Sequence, residues 1–164
     1  MKFTVADLLD QLHTEEFLPL ARLEKSLGLS EATERRQLGI SLEPLARLGL
    51  LETREEGLRR LLNPELITAR LRCSSKGFCF ALREDGGEDI YIREHQLNHA
   101  WNGDLVLVRI TREGGRRRSP EGAVQCILSR ETSSLLAQVE RREDGQLLAV
   151  PLDDRLLKIG RAHV

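Results

Sequence analysis

The sequence contains no run of 18 apolar residues, which excludes a membrane-spanning helix. It has no apolar signal-peptide core near its start, so export is not expected. Cysteine is scarce: Cys73, Cys79 and Cys126 are odd in number and form no Cys-x-x-Cys pair. That argues against a zinc site or a disulfide framework, and for reduced thiols in a cytoplasmic protein. An excess of one charge is missing too. The chain holds 25 Lys and Arg against 26 Asp and Glu, a net charge of −1, so bulk electrostatics gives no argument for a polyanionic partner. Catalytic constellations are also lacking. His13, His95, His99 and His163 form no triad; His95 and His99 have helical zinc spacing, but no third ligand follows. Asp153 and Asp154 are adjacent, so on a strand they point to opposite faces and cannot share a metal. No catalytic residue, metal ligand or cofactor is therefore assigned within these residues.

What is present supports a folded core. The 164 residues are 40% hydrophobic and 31% charged, enough for one domain or two small ones. Residues 1–66 carry 9 Lys/Arg against 12 Asp/Glu, and residues 67–131 carry 11 against 9. The cations of the second stretch are mostly arginine, whose planar fork suits phosphate and base planes.

The first third reads as helical. Thr4 caps a helix whose apolar residues Val5, Leu8, Leu9 and Leu12 recur at helical spacing. Pro19 opens a second helix through Leu20, Leu23 and Leu27, and Gly28 ends it. Ser30 and Glu34 start a third through Leu38, Leu42, Leu45 and Leu48, which Pro44 is expected to kink or split. Residues 50–53 and 58–62 then flank a turn, giving the element order of a winged helix-turn-helix. The third helix balances Glu31, Glu34 and Glu43 against Arg35, Arg36 and Arg47. That balance favours a docking or autoregulatory module over a helix that reads a DNA groove.

Asn63-Pro64 marks a boundary, after which short strands follow. They cover 67–72, 77–83, 88–93, 104–111 and 122–130, with a short helical connection after the third. Lys76-Gly77-Phe78-Cys79-Phe80 and Asp89-Ile90-Tyr91-Ile92-Arg93 alternate with the two-residue period of a strand, on either side of the turn Asp85-Gly86-Gly87. Paired, they place Phe78, Phe80 and Tyr91 on one face with Lys76 and Arg93, while Cys79, Ala81, Ile90 and Ile92 fill the other. Rings offer a π-face to any base and cations a partner to phosphate. Five strands with a helical insert fit an OB-type barrel, which binds nucleic acid on strands two and three and on two adjoining loops. The second of those loops carries Arg116, Arg117 and Arg118.

Lys76-Gly77-Phe78-Cys79-Phe80 resembles the first RNA-binding motif of cold-shock domains, Lys-Gly-Phe-Gly-Phe, and Ile90-Tyr91-Ile92-Arg93 resembles the second, Val-Phe-Val-His. Cys79 stands where that motif has glycine, and Arg93 where it has histidine. With Ala100 to Val108 and Glu121 to Arg130, the pattern is similar to the N-terminal cold-shock domain of the RNase II/RNase R exoribonucleases. A preceding winged-helix module points to the ribonuclease R branch. The resemblance implies a 3′–5′ exoribonuclease whose Mg²⁺-dependent catalytic domain lies elsewhere, and a role in RNA degradation.

The expected organisation is α+β and multi-domain: a winged helix-turn-helix over 1–64, a five-stranded cold-shock OB barrel over 66–131, and the start of a second such barrel over 132–158. Residues 159–164 resemble one reading frame of a sequencing adapter, so a truncated gene is expected. The expected partners are single-stranded RNA, held by Lys76, Phe78, Phe80, Tyr91, Arg93 and Arg116 to Arg118, and the catalytic domain of the same parent chain. No membrane partner is expected. The alternatives are a winged-helix DNA-binding regulator and a non-enzymatic OB-fold interaction module.

Overall fold

A computed structural model describes residues 2–153 and Arg155 of the chain. The chain divides into two compact units, Met1–Leu66 and Ile67–Val164.

The first unit opens on α1 (Val5–Asp10), which a capping box starts. The Asp7 N–H donates to Thr4 Oγ1 at 3.0 Å and the Thr4 N–H donates to the Asp7 carboxylate at 2.7 Å. Pro19, which has no N–H to leave unsatisfied, precedes α2 (Leu20–Ser26), and Gly28 follows its end. α3 (Ala32–Arg47) begins where the Glu34 carboxylate accepts the N–H groups of Ser30 and Glu31 at 2.8 and 3.1 Å. Leu8, Leu23, Leu38 and Leu45 from the three helices are fully buried, each contributing roughly 1.5–3 kcal/mol through burial.

The expected break at Pro44 does not occur; α3 runs through it as one helix. Pro44 lies in the last turn and on the exposed side. Its own carbonyl still accepts the Leu48 N–H at 3.0 Å. The one bond it removes leaves the carbonyl of Ile40, a solvent-facing residue, open to water.

β1 (Leu51–Arg54) and β2 (Gly57–Arg60) pair antiparallel across Glu55-Glu56. Leu18 adds a bridge to Leu58, with reciprocal bonds of 2.8 and 2.9 Å. That approach needs glycine at 57, where a Cβ would lie 2.2 Å from the Leu18 carbonyl oxygen. Arg54 and Arg59 both bind Glu52 and stack over Phe17, at 5.1 and 4.9 Å from the ring centre.

The second unit contains β3 (Leu66–Cys73), β4 (Cys79–Arg83), β5 (Ile90–Ile92), a one-turn 3₁₀ helix (Glu94–Gln96), β6 (Leu105–Arg112) and β7 (Glu121–Ser129). They close into a five-stranded, OB-like barrel in the order β3-β4-β5-β7-β6. The alternation seen in the sequence puts Ala69, Leu71, Cys79, Ala81, Ile90, Ile92, Val106 and Val108 inside. The turn Trp101 to Asp104 fastens β3 to the start of β6. Leu71 donates its N–H to the Asp104 carbonyl at 2.9 Å, and Asn102 Oδ1 accepts the Cys73 N–H at 2.8 Å. Asp104 is fully buried, and its carboxylate takes Arg130 at 2.9 Å and the N–H groups of Trp101 and Glu131. Arg130 also stacks over Trp101 at 4.9 Å.

The expectation of reduced thiols is corrected for two of the cysteines: Cys73 and Cys79 form a disulfide. They are direct partners across β3 and β4, with Cα atoms 4.1 Å apart. Spacing along the chain hides such a contact, because the register of the hairpin creates it. Cys126 remains free.

β8 (Ala137–Arg141) and β9 (Leu147–Pro151) follow as an antiparallel hairpin. The reading of residues 159–164 concerns positions outside the described residues, as does Asp154. Among the described residues no helix is long and apolar enough to cross a membrane.

Candidate nucleic-acid interface

The register of the barrel builds one outward row. Arg72 on β3 faces Phe80 on β4, Phe80 faces Tyr91 on β5, and Tyr91 faces Glu121 on β7. The residues on either side of this row point inward, where Cys79, Ala81, Ile90 and Ile92 are 0% exposed. The core face is therefore full, and the rings stay on the outside. The Phe80 and Tyr91 ring centres lie 5.5 Å apart, with planes tilted by 57°, an ordinary attractive aromatic geometry. Both rings are half-buried, while Phe78, just ahead of β4, is 51% exposed.

Lys76 does not sit on the strand that its alternation suggests. It lies exposed in the tight turn before β4. The Ser74 N–H donates to the Phe78 carbonyl at 2.8 Å, the Gly77 N–H to the Ser74 carbonyl at 3.1 Å, and the Phe78 N–H to Ser74 Oγ at 3.3 Å. Gly77 adopts φ +82, which a side chain disfavours. The turn ends the ladder early and leaves Lys76 and Phe78 exposed. An open groove of about 340 Å³ runs beside Phe78, lined by Arg72, Cys73, Ser74, Phe78, Phe80, Leu82 and Asp89.

The remaining expected cations are placed differently. Arg93 makes a two-pronged contact with Glu121, Nε and Nη2 lying 3.1 and 3.2 Å from its oxygens. Arg112 stands 3.8 Å from the same carboxylate. The Arg93 hydrogen bonds hold the Glu121 carboxyl below its usual range and raise the Arg93 guanidinium above its own. Arg116, Arg117 and Arg118 are all exposed on the loop between β6 and β7, which Gly115 and Arg118 pinch through bonds of 2.8 and 3.0 Å. The rings, Lys76 and Arg93 thus gather on or beside one face, with the arginine triplet on a neighbouring loop. Arg72 escaped the sequence reading. Its signal was present: Arg70 and Arg72 alternate with the buried Leu71 and Cys73, which places both outward.

Two sequence families match. The family described as "Ribonuclease B OB domain" matches residues 69–127. The family described as "Cyanobacterial RNase R, N-terminal domain" matches residues 6–61. The chain belongs to the ribonuclease R-like (RNB) family. The two matches cover the helices with their hairpin and most of the barrel of this ribonuclease R-like chain, and the β8–β9 hairpin lies beyond them. It is 45% identical to the acetazolamide resistance-conferring protein Zam of Synechocystis over 158 residues, 96% of this chain and 20% of that protein. It is 29% identical to ribonuclease R of Aquifex aeolicus, covering 84% of this chain and 18% of that one. Ribonuclease R of Acidithiobacillus ferrooxidans is also 29% identical, over 84% and 30%. The ribonuclease R-like chain thus spans between 18% and 30% of these relatives' lengths. Among solved structures, yeast Ssd1, a pseudonuclease, aligns with TM-score 0.45 and 17% identity over 56% of this chain and 17% of that one. Mycoplasma genitalium RNase R in complex with ribose-methylated single-stranded RNA aligns with TM-score 0.40 and 22% identity over 52% and 14%.

Proposed function

We propose that this chain is the RNA-binding, non-catalytic N-terminal region of a cytoplasmic 3′–5′ exoribonuclease of the ribonuclease R type, acting in RNA degradation. The observation that carries this reading is the exposed Phe78 beside the Phe80–Tyr91 pair, on a barrel face whose inward positions are already filled. Phe78, Phe80 and Tyr91 stack on unpaired bases. Lys76, Arg93, the arginines 116–118 and Arg72 hold the phosphates. Stacking contributes roughly 1–3 kcal/mol per base without regard to sequence, which suits an enzyme that must accept any strand.

Hydrolysis belongs to the catalytic domain of the parent protein, the expected partner of this region and the expected holder of Mg²⁺. Among the described residues no group of three or more His, Cys, Asp or Glu is placed to hold a metal ion. The three helices with the β1–β2 hairpin and the Leu18–Leu58 bridge support a winged helix-turn-helix over 1–64. The acidic balance of that unit favours docking or autoregulation over duplex reading. The β8–β9 hairpin supports the opening of a second barrel.

Titration of a fluorescent single-stranded oligonucleotide into the wild type and Phe78→Ala tests the platform. The variant is expected to bind about 5- to 100-fold more weakly, with its unfolding midpoint almost unmoved because the ring is largely exposed. Equal affinities would discard the stacking role. Binding of the wild type is expected to weaken with salt, with a log–log slope of about −0.7 per phosphate neutralised.

A further inference from the structure

The Cys73–Cys79 disulfide lies where the ladder between β3 and β4 ends and the turn bearing Lys76 and Phe78 begins. This pair is the one next to the turn, so the bond ties together the two residues from which the turn springs. Ser74 to Phe78 form the segment that the bond closes, held otherwise by the three hydrogen bonds around Ser74. Cys73 is anchored from behind by Asn102 and also lines the open groove, whereas Cys79 is 0% exposed. Both sulfurs lie on the inward side, and Cys73, 7% exposed at the edge of the groove, is the less deeply buried of the two. Cys126 has no such setting. It is half-buried, burial pushes its thiol above the usual range, and it has no cysteine partner.

We propose that Cys73 and Cys79 are a reversible thiol–disulfide couple that sets the order of the Ser74–Phe78 turn and, through it, the affinity of the face for single-stranded RNA. The inference about affinity rests on the RNA-binding reading; the inference about the turn does not. Reduction proceeds by exchange with a dithiol. A reductant thiolate attacks Cys73 Sγ, the Cys73–Cys79 bond breaks and Cys79 leaves as a thiolate that takes up a proton. The second thiol of the reductant then loses its proton and displaces Cys73, which leaves as a thiolate and is protonated in turn. Two electrons and two protons pass to the protein, and the dithiol becomes a disulfide. Oxidation is the reverse, with a disulfide compound as acceptor. In the oxidised state the turn is pinned at both ends with Phe78 presented. In the reduced state only the three hydrogen bonds around Ser74 hold it, and only a fraction of molecules present the ring. Apparent affinity falls by that fraction. Because RNA binds the oxidised form more tightly, by linkage it disfavours reduction to the same degree.

The test uses the whole chain equilibrated with glutathione disulfide or with reduced dithiothreitol. Alkylation and mass spectrometry count the thiols and separate the intramolecular bond from glutathione adducts, which the free Cys126 can also form. Amide hydrogen exchange reads residues 74–78 without RNA, and titration of a fluorescent oligonucleotide reads affinity. Reduction is expected to add two alkylatable cysteines, speed exchange at 74–78 and weaken binding about three- to tenfold. A double variant, Cys73→Ser with Cys79→Ser, is expected to match the reduced protein in both buffers. Two cysteines that stay alkylatable after the disulfide treatment would overturn the proposal. So would thiols that change state while exchange and affinity stay the same. If no RNA binds in either state, the RNA-binding reading fails and with it the affinity inference, while exchange at 74–78 decides the clamp.

Discussion

At the scale of single residues, the groups that matter most for stability are not the ones that face a ligand. Asp104 is fully buried and gathers Arg130 and the N–H groups of Trp101 and Glu131. A residue with no acceptor there strands two backbone donors and takes from Arg130 its carboxylate partner, leaving it the His99 carbonyl. Asp104→Ala is expected to lower barrel stability by about 3 kcal/mol, read as an earlier urea midpoint; a loss below about 0.5 kcal/mol would refute this role. Glu34 shows the same dependence on charge in the first unit. Its carboxyl accepts from Lys2, Glu31 and Ser30, and titrates at about 2 instead of 4.5. A folded pKa below the unfolded one means that the stabilisation is complete above the ordinary value and drains away as pH falls from about 4.5 towards about 2. Thermal unfolding of Glu34→Gln is expected to lie below that of the wild type at pH 7, with the gap closing on acidification through that window. A gap independent of pH would remove the electrostatic explanation.

At the scale of elements, β4, β5 and β7 decide what the face can do. The parallel pairing of β5 with β7 brings Glu121 next to Tyr91 and within reach of Arg93. If the face holds phosphates as proposed, an anion at its edge competes with them for the guanidinium. Glu121→Gln is therefore expected to tighten binding of single-stranded RNA about two- to fivefold at low salt, and to steepen the salt slope by up to about 0.7. Unchanged affinity and slope would show that Arg93 stays outside the phosphate path. The hairpin mouth works in the same register-dependent way. One antiparallel pairing sets Arg72 against Phe80 on the outside and Cys73 against Cys79 on the inside, so the platform and the disulfide are consequences of a single alignment.

At the scale of the whole molecule, charge is divided between two units whose sums nearly cancel. Residues 1–66 hold 9 cations against 12 anions, and residues 67–131 hold 11 against 9. The net charge of −1 therefore describes neither. The chain is expected to bind a single-stranded oligonucleotide at least about tenfold more tightly than the same sequence as a duplex, because stacking needs unpaired bases. Competition titrations with the two forms measure this directly. A preference for the duplex would move the function to the helical unit and favour the DNA-binding alternative.

Much of this was legible in the sequence because local rules and the fold agree. Thr4 before an amphipathic run, Gly28 after one, and the period-two alternation of Phe80-Ala81 against Ile90-Tyr91-Ile92 each act over a few residues. Such short-range signals survive whatever the rest of the chain does. The inward and outward faces of β4 and β5 follow from them. What depends on strand register, on neighbouring strands or on which side of an element is left exposed could only be decided by the tertiary structure. Pro44 is tolerated because its turn is exposed. Arg93 meets Glu121 because β5 and β7 lie side by side. Cys73 reaches Cys79 because the tight turn at Gly77 sets the register of two strands. Sequence determines which atoms each face offers; only the closed barrel brings those faces within bonding distance.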